Sequence, residues 1–231
     1  MAILLKRGVV ELVDHDPEWE QLAAQKIEQI CDVFGPSAKD IQHIGSTAIR
    51  GIKAKPIIDI AIGVESFAVL TDELFSRLDK IDVYKSVQQP LLGIVLGGVR
   101  KNSKFPMNLH FVEINSTQWK NHIDFRDYMN RYPEKAKEYE KVKLESAALY
   151  PDDRDAYSKE KALFIKKMIC EATLWACLCD IPQYDTFTKI EPLNKGWSSD
   201  KKYVVETDDG KWMLLRVADI VEYERKIPNM K

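Results

Sequence analysis

The spacing of apolar residues changes along this chain of 231 residues, and the order of the changes restricts the fold. Before about residue 119 the apolar runs are short and rich in β-branched residues, which is typical of strands. The predicted strands cover 9–14, 41–49, 56–64, 82–88, 92–99 and 107–114. Strands followed by a long helical region predict an α+β fold, with a mixed sheet, flanking helices and a helical C-terminal cap.

Helices are predicted where apolar residues recur every three or four positions. One begins at Asp16-Pro17 and ends at Gly35-Pro36, because Pro suits a first helical turn and Gly a helix end. The others cover 66–80, 121–131, 134–149 and 152–179. The helix over 134–149 carries two pairs at three-residue spacing, Glu138 with Lys141 and Glu140 with Lys143, which is typical of a solvated face.

The pattern becomes strand-like again after Asp180-Ile181-Pro182, which predicts a domain of residues 1–180 and a β tail of residues 181–231. Strands are predicted over 187–193, 201–207 and 211–217, and Asp208-Asp209-Gly210 predicts a hairpin turn. So few strands cannot bury a core alone. The tail therefore needs cover from the first domain, from a second copy of the chain or from a missing continuation. Trp197 and Trp212 would need such cover, which favours a homodimer through the tail.

Charge and hydropathy exclude several classes of protein. With 34 Lys and Arg against 36 Asp and Glu, the net charge of −2 does not suit a duplex nucleic acid or an anionic membrane as partner. No apolar run approaches the roughly 18 residues of a membrane-spanning helix, and no secretory signal pattern opens the chain. The four cysteines lack a zinc-ligand pattern and are expected to be reduced, so a cytoplasmic location is predicted.

The most informative stretch is HIGSTAIRGIKAKPIID over residues 43–59. A predicted strand ends in a turn that contains Gly45 and Ser46. A linker that is expected to be mobile follows, and Asp59 lies on a second predicted strand. Gly permits close approach of a phosphate, while Ser46 and Thr47 offer hydroxyl and amide donors. Asp59 could hold a magnesium ion that bridges the same phosphates. The alternative is a tight turn and a strand-end Asp that neighbouring amides satisfy, which is the more common meaning of so short a motif. The apolar run around Asp59 favours a functional carboxylate, because an unpaired one there is costly.

This stretch resembles the signature of the GrpB-like family, which is classed with the nucleotidyltransferases. The resemblance extends over roughly residues 9–170, including VELVDHDPEWEQLA, NLHFVE, FRDYM and YPDDRDAYSKEKALFI. It implies a nucleotidyltransferase-like mixed sheet, without specifying a substrate.

The resemblance also implies roles for particular residues. Gly45 and Ser46 would contact phosphates, and Asp59 would be a catalytic carboxylate and magnesium ligand. The second carboxylate expected two residues later is replaced by Ala61, and Glu113 on a neighbouring strand is the candidate third. Strict alternation places His110 on the face opposite Glu113, so only one of them would enter the cleft unless a bulge intervenes. The loss at position 61 weakens a two-metal mechanism.

Further candidates for binding nucleotide are basic or aromatic residues. Lys55 and Arg100 are basic candidates for triphosphate contacts, and His110 is a further candidate. Arg126 has aromatic neighbours, and Tyr157 and Lys161 share one helix face. Lys101 and Lys104 are further basic candidates. For each of these residues an ordinary solvated or packing role is the alternative. His43 is predicted to be a core histidine.

Residues 193–226 resemble the first strands of an aminoglycoside-phosphotransferase-like kinase, with NKGWSSDK as the loop over the phosphates and Arg216 in place of a strand lysine. No His-x-Asp catalytic loop follows, so the resemblance implies a truncated kinase N-lobe without phosphotransfer activity.

The leading hypothesis is a nucleotidyltransferase-fold protein that binds a nucleoside triphosphate with magnesium. If active, it would transfer a nucleotidyl group to a small-molecule acceptor. One alternative is a binding or interaction module without catalysis. Another is an auxiliary domain of a truncated kinase fusion.

Overall fold

The computed structural model describes residues 10–89, 94–99, 106–193 and 201–217. The chain divides into two compact units, residues 1–173 and residues 174–231. Within the described residues, no helix combines the length and the apolar character needed to cross a membrane. The loop NKGWSSD and the basic candidates Arg100, Lys101 and Lys104 lie outside the described residues.

A five-stranded mixed sheet forms the centre of the first unit, in the order β1-β2-β5-β4-β3. The strands are β1 Ala38–Ile44, β2 Ile58–Val64, β3 Val83–Gln89, β4 Ile94–Val99 and β5 Met107–Glu113. Within this sheet the β2–β5 pair is parallel and the other neighbours are antiparallel. The prediction of an α+β fold on a mixed sheet is confirmed. The strand predicted over 9–14 is wrong, because only an isolated bridge joins Val13 to Ala54 there.

Six α-helices accompany the strands in the described part of the chain: α1 Glu18–Phe34, α2 Asp72–Asp79, α3 Thr117–Arg131, α4 Pro133–Leu149, α5 Arg154–Glu160 and α6 Ala162–Leu178. The single helix predicted over 152–179 is wrong, because the chain leaves α5 at Lys161 and starts α6 at the next residue. No Gly or Pro stands at that break, so the sequence carries no signal for it.

The two faces of β2 explain its nearly continuous apolar sequence. On one face, Ile58, Ile60 and Ile62 belong to a core that includes Trp19 of α1 and Leu78 of α2. On the other face, Ala61 packs in a second cluster with Ile44, Val112 and Trp119 of α3. A strand covered on both faces tolerates few polar residues. Asp59 shares the second face with Ala61, since side chains two apart point the same way.

The second unit contains a three-stranded antiparallel sheet in the order β6-β7-β8. Its strands are β6 Phe187–Pro192, β7 Lys201–Thr207 and β8 Trp212–Val217. The hairpin predicted at Asp208-Asp209-Gly210 joins β7 to β8, with Gly210 at a φ of 78°. That positive φ explains the glycine.

Candidate functional site

Asp59 lies at the centre of the site, where parallel pairing sets β5 beside β2. The register pairs Asp59 with Asn108 and Ala61 with His110, so both polar side chains of β5 share the face of Asp59. Asn108 Nδ2 donates a hydrogen bond of 2.9 Å to Asp59 Oδ1, and His110 Nε2 lies 3.1 Å from the same oxygen. The Asp59 and His110 side chains are 23% and 26% exposed, so a ligand can reach this pair.

Gly45 covers the other carboxylate oxygen of Asp59. It adopts φ 73° and ψ −170°, a conformation that is essentially restricted to glycine. A Cβ placed on Gly45 would lie 2.6 Å from Asp59 Oδ2, so no other residue fits without displacing the carboxylate. The structure thus brings the Gly45–Ser46 turn directly against Asp59.

The hydrogen bonds to Asp59 keep it ionised. Burial alone would raise the pKa of Asp59, but the hydrogen bonds and charge of His110, with the Asn108 amide, hold this pKa below its usual value. The positive charge of Lys161 acts in the same direction. The site therefore presents one fixed negative charge.

Two lysines flank a buried tyrosine close to this carboxylate. Lys55 Nζ lies 4.0 Å and Lys161 Nζ 4.7 Å from the centroid of the Tyr157 ring, which is only 1% exposed. Among the described residues, neither lysine forms an ion pair. Such ammonium groups are held by the ring face and remain able to bind an anion. The sequence placed Tyr157 and Lys161 on one helix face and named Lys55 as a separate basic candidate, and the structure brings all three together.

The pKa values of both lysines are lowered, chiefly by burial. Burial, together with the charges of Lys161 and Arg154, lowers the pKa of Lys55 to about 8. Burial also lowers the pKa of Lys161, with Arg154 adding to the effect and Asp59 opposing it. Because burial is the main cause in both cases, an anion bound beside these lysines would raise both pKa values.

Lys143 is a site residue that sequence reasoning missed. Its side chain is 1% exposed, its Nζ donates to the Lys53 carbonyl, and it lies 4.6 Å from the Tyr139 ring centroid. Burial and the charge of Lys161 lower its pKa to about 7. The predicted solvated face of Glu140 and Lys143 is therefore wrong, because both side chains turn to the β1–β2 loop.

That loop was expected to be mobile, but α3 and α4 hold its backbone. The contacts are Asn130 Oδ1 to Arg50 N at 2.9 Å, Asn130 Nδ2 to Ala48 O at 2.9 Å, Lys137 Nζ to Gly51 O at 2.7 Å, Glu140 Oε1 to Lys53 N, and Lys143 Nζ to Lys53 O. Backbone groups outside a helix or sheet need such partners. The expectation of mobility conflicts with these contacts, and the loop is a fixed support for Lys55.

Glu113 does not join Asp59. It is exposed and pairs with Val64, five residues along β2 from Asp59, or about 17 Å at 3.3 Å per residue. It also lies on the opposite face of β5 from His110. The alternation of side chains along the strand predicted that only one of Glu113 and His110 would enter the cleft. In the structure that residue is His110, which contacts Asp59.

Thr47 and Arg126, both predicted to bind nucleotide, are engaged within the protein. Thr47 is fully buried; its hydroxyl donates to the Ile57 carbonyl at 3.2 Å and lies 3.0 Å from His43 Nε2. Arg126 Nη1 donates to Gln42 Oε1 at 2.8 Å and to the His43 carbonyl at 3.0 Å, which fastens α3 to β1. Ser46 is partly exposed at the start of its turn.

Besides Lys143, sequence reasoning missed Asn108 and His122. The ring centroid of His122, on α3, lies 5.6 Å from that of His110. Burial and the charge of His110 lower the pKa of His122 to about 4, so His122 is neutral at pH 7. The approach of α3 to β5 creates this contact, and the sequence around His122 gives no signal of it.

The donor set around Asp59 does not fit a magnesium site. Oδ1 accepts hydrogen bonds from Asn108 and His110, Oδ2 faces Gly45, and position 61 offers no carboxylate. Magnesium prefers oxygen ligands in near-octahedral geometry. Over the part of the chain that the structure describes, no three His, Cys, Asp or Glu side chains are grouped to hold a metal ion.

Comparison with known proteins identifies the first unit. The GrpB protein family matches residues 9–171. The chain belongs to the GrpB family. It is 37% identical over 175 residues to glutamate-rich protein GrpB of Alkalihalophilus pseudofirmus, covering 72% of this chain and 98% of that protein. The predicted membership is confirmed.

Solved structures agree with this assignment. The crystal structure of the conserved protein GrpB from Enterococcus faecalis superimposes with a TM-score of 0.64 at 26% identity, covering 71% of this chain and 99% of that chain. A structure of the Cid1 poly(U) polymerase aligns at 12% identity with a TM-score of 0.44, covering 82% and 60%. That second likeness is too remote to carry an inference. The kinase resemblance of the tail stays a prediction.

Proposed function

We propose that this GrpB-family chain binds a nucleoside triphosphate, with the phosphates held between the Gly45–Ser46 turn and Lys55 and Lys161. The observation that carries the proposal is the pair of ammonium groups over the Tyr157 ring, neither in an ion pair within the described residues. Two partly buried cations that have no carboxylate in an ion pair among the described residues favour an anionic ligand with several charges.

The Gly45–Ser46 turn supports the same ligand. Gly45 has no side chain to obstruct a phosphate, and Ser46 is partly exposed beside it. Contacts from α3 and α4 hold the loop that carries Lys55. Because this loop is already ordered, binding a ligand does not require the loss of its conformational entropy.

Binding can be tested by titrating a fluorescent nucleoside triphosphate into the full chain. Replacement of Lys161 by Ala removes a charge-assisted contact of about 1.5–3 kcal/mol, which corresponds to a roughly tenfold to hundredfold weaker Kd. Lys55→Ala has the same expected effect. Lys141→Ala is the matched control, because Lys141 is an exposed lysine of α4. Equal affinities for Lys161→Ala and Lys141→Ala, or no binding to the native chain, would refute the proposal.

Nucleotidyl transfer is a second candidate function, favoured by the contact between His110 Nε2 and Asp59 Oδ1. In the neutral form of His110, if Nε2–H donates this hydrogen bond to Asp59, Nδ1 carries the lone pair and can accept a proton. In the proposed reaction, an acceptor hydroxyl oxygen attacks the α-phosphorus and its proton passes to His110. The bond from the α-phosphorus to the bridging oxygen breaks, and pyrophosphate leaves.

The transfer reaction can be separated from binding by measuring pyrophosphate release. Water and a set of small alcohols and amines serve as acceptors, with α-labelled triphosphate as donor. The expected result is release that falls at least a hundredfold in His110→Asn while triphosphate affinity changes less than about threefold. Binding without pyrophosphate release would instead support the binding or interaction module, which Ala61 favours.

A further inference from the structure

We infer that triphosphate binding at this site does not require a divalent cation, because Lys55, Lys161 and Arg154 supply the positive charge that a bound metal would otherwise provide. This inference rests on the proposed nucleotide-binding function. It concerns the same site and adds to that proposal by naming the groups that neutralise the phosphates.

The first support is the use that the fold makes of Asp59. Its Oδ1 accepts from Asn108 Nδ2 at 2.9 Å and contacts His110 Nε2 at 3.1 Å. Its Oδ2 faces Gly45, and a Cβ built on Gly45 would lie 2.6 Å from this oxygen. A metal bound to Oδ1 would have to displace Asn108 and His110, whose nitrogen atoms are poor ligands for magnesium.

The second support is the absence of a second carboxylate at the site. Ala61 stands two residues after Asp59 on the same face, fully buried against Ile44 and Val112. Glu113 is exposed on the opposite face of β5, about 17 Å along the strand. A metal held by protein and phosphate ordinarily has one or two carboxylates free for coordination. Among the described residues, Asp59 is the one carboxylate adjoining Asn108 and His110.

The third support is the charge balance around the proposed phosphate position. Lys161 lies close enough to Lys55, Lys143 and Asp59 for its charge to affect the pKa of each. Arg154 acts on both Lys55 and Lys161. Among the groups whose charges act on the pKa values of Lys55 and Lys161, Asp59 is the one carboxylate, beside the cations Lys161 and Arg154. A triphosphate without a metal is attracted by these cations. A metal complex of the triphosphate would add positive charge to a site that already holds these cations, which weakens that attraction.

The experiment is a calorimetric titration of inorganic tripolyphosphate and ATP into the full chain, in EDTA and in excess magnesium. For the native chain, Kd in EDTA should equal or be lower than Kd in magnesium. Asp59→Asn should bind at least as tightly as the native chain in EDTA, because it removes the nearest negative charge. Lys161→Ala should bind at least about tenfold more weakly in both conditions, and Lys141→Ala should bind as the native chain does.

Binding to the native chain that appears only with magnesium would overturn the inference while leaving the proposed function standing. Loss of that binding in Asp59→Asn would then identify Asp59 as a metal ligand. No binding in either condition would overturn both proposals. The comparison of EDTA with magnesium uses the native chain alone, so it decides the matter even if Asp59→Asn fails to fold.

Discussion

Replacement of Gly45 by Ala tests the contact on which the whole site depends. Gly45 has φ 73° and ψ −170°, and its Cα faces the Asp59 carboxylate. An alanine in this backbone conformation costs about 1–3 kcal/mol. Its Cβ would also lie 2.6 Å from Asp59 Oδ2 and 3.0 Å from Asp59 Cβ, so the carboxylate must move.

Movement of Asp59 destabilises the Gly45→Ala variant further, because Asp59 Oδ1 is hydrogen-bonded to Asn108 and His110. A shift of the carboxylate weakens the hydrogen bonds from Asn108 and His110, for which about 1–2 kcal/mol is a reasonable loss. The expected total is roughly 3 kcal/mol, or a fall in Tm of roughly 6–12 °C for a chain of this size. Urea unfolding monitored by circular dichroism measures the free energy directly.

A double-mutant cycle separates the two contributions. In an Asp59→Ala background the contact with Oδ2 disappears, although the close contact with the Cβ of residue 59 remains. The penalty for Gly45→Ala should therefore fall by about 1 kcal/mol. Gly51→Ala is a second comparison, since Gly51 also has positive φ but nothing lies within 4 Å of the place that its Cβ would take. An unchanged penalty in the Asp59→Ala background would refute the reasoning.

Three further outcomes are expected. Burial lowers the pKa of His43 from 6.5 to about 4, so between pH 6.5 and pH 4 the unfolded chain binds more protons than the folded chain. The free energy of unfolding should therefore fall by about 3 kcal/mol as the pH drops through this range. His43→Gln should remove this pH dependence from urea unfolding measured at several pH values. Asn130→Ala should cost about 1 kcal/mol in urea unfolding, because two partly exposed hydrogen bonds to the β1–β2 loop are lost. Trp212→Ser should reduce any concentration-dependent association measured by light scattering, because Trp212 is 55% exposed on β8; a native chain that stays monomeric throughout would contradict the predicted homodimer.

The strands of the first unit were predictable because local signals agreed with the tertiary environment. The run around Asp59 is rich in β-branched residues, and β2 is buried on both faces. The break at Lys161 was not predictable, because α5 and α6 both have helical sequences. The segment 9–14 alternates like a strand, but Val13 alone forms a β-bridge there, with Ala54, among the described residues.

The site was predicted in part. The motif placed Gly45 near Asp59, and helix spacing placed Tyr157 near Lys161; both pairs are in contact in the structure. The position of Lys55 over Tyr157 was not foreseen. Lys143 escaped prediction because a lysine three residues from a glutamate on a helix usually faces water. Its burial depends on the loop that α4 contacts, and the helix sequence alone does not specify that neighbour.

The sequence by itself determined the α+β order of elements, the Gly45–Ser46 turn and the strand that carries Asp59. These features depend on side-chain periodicity and on the backbone freedom of glycine, which are local properties. Only the tertiary structure decided that His110, and not Glu113, meets Asp59. The period-two alternation of β5 separates the two residues onto different faces, but the pairing of β5 with β2 selects the face and the register. That pairing joins residues about fifty positions apart, and no local pattern encodes it.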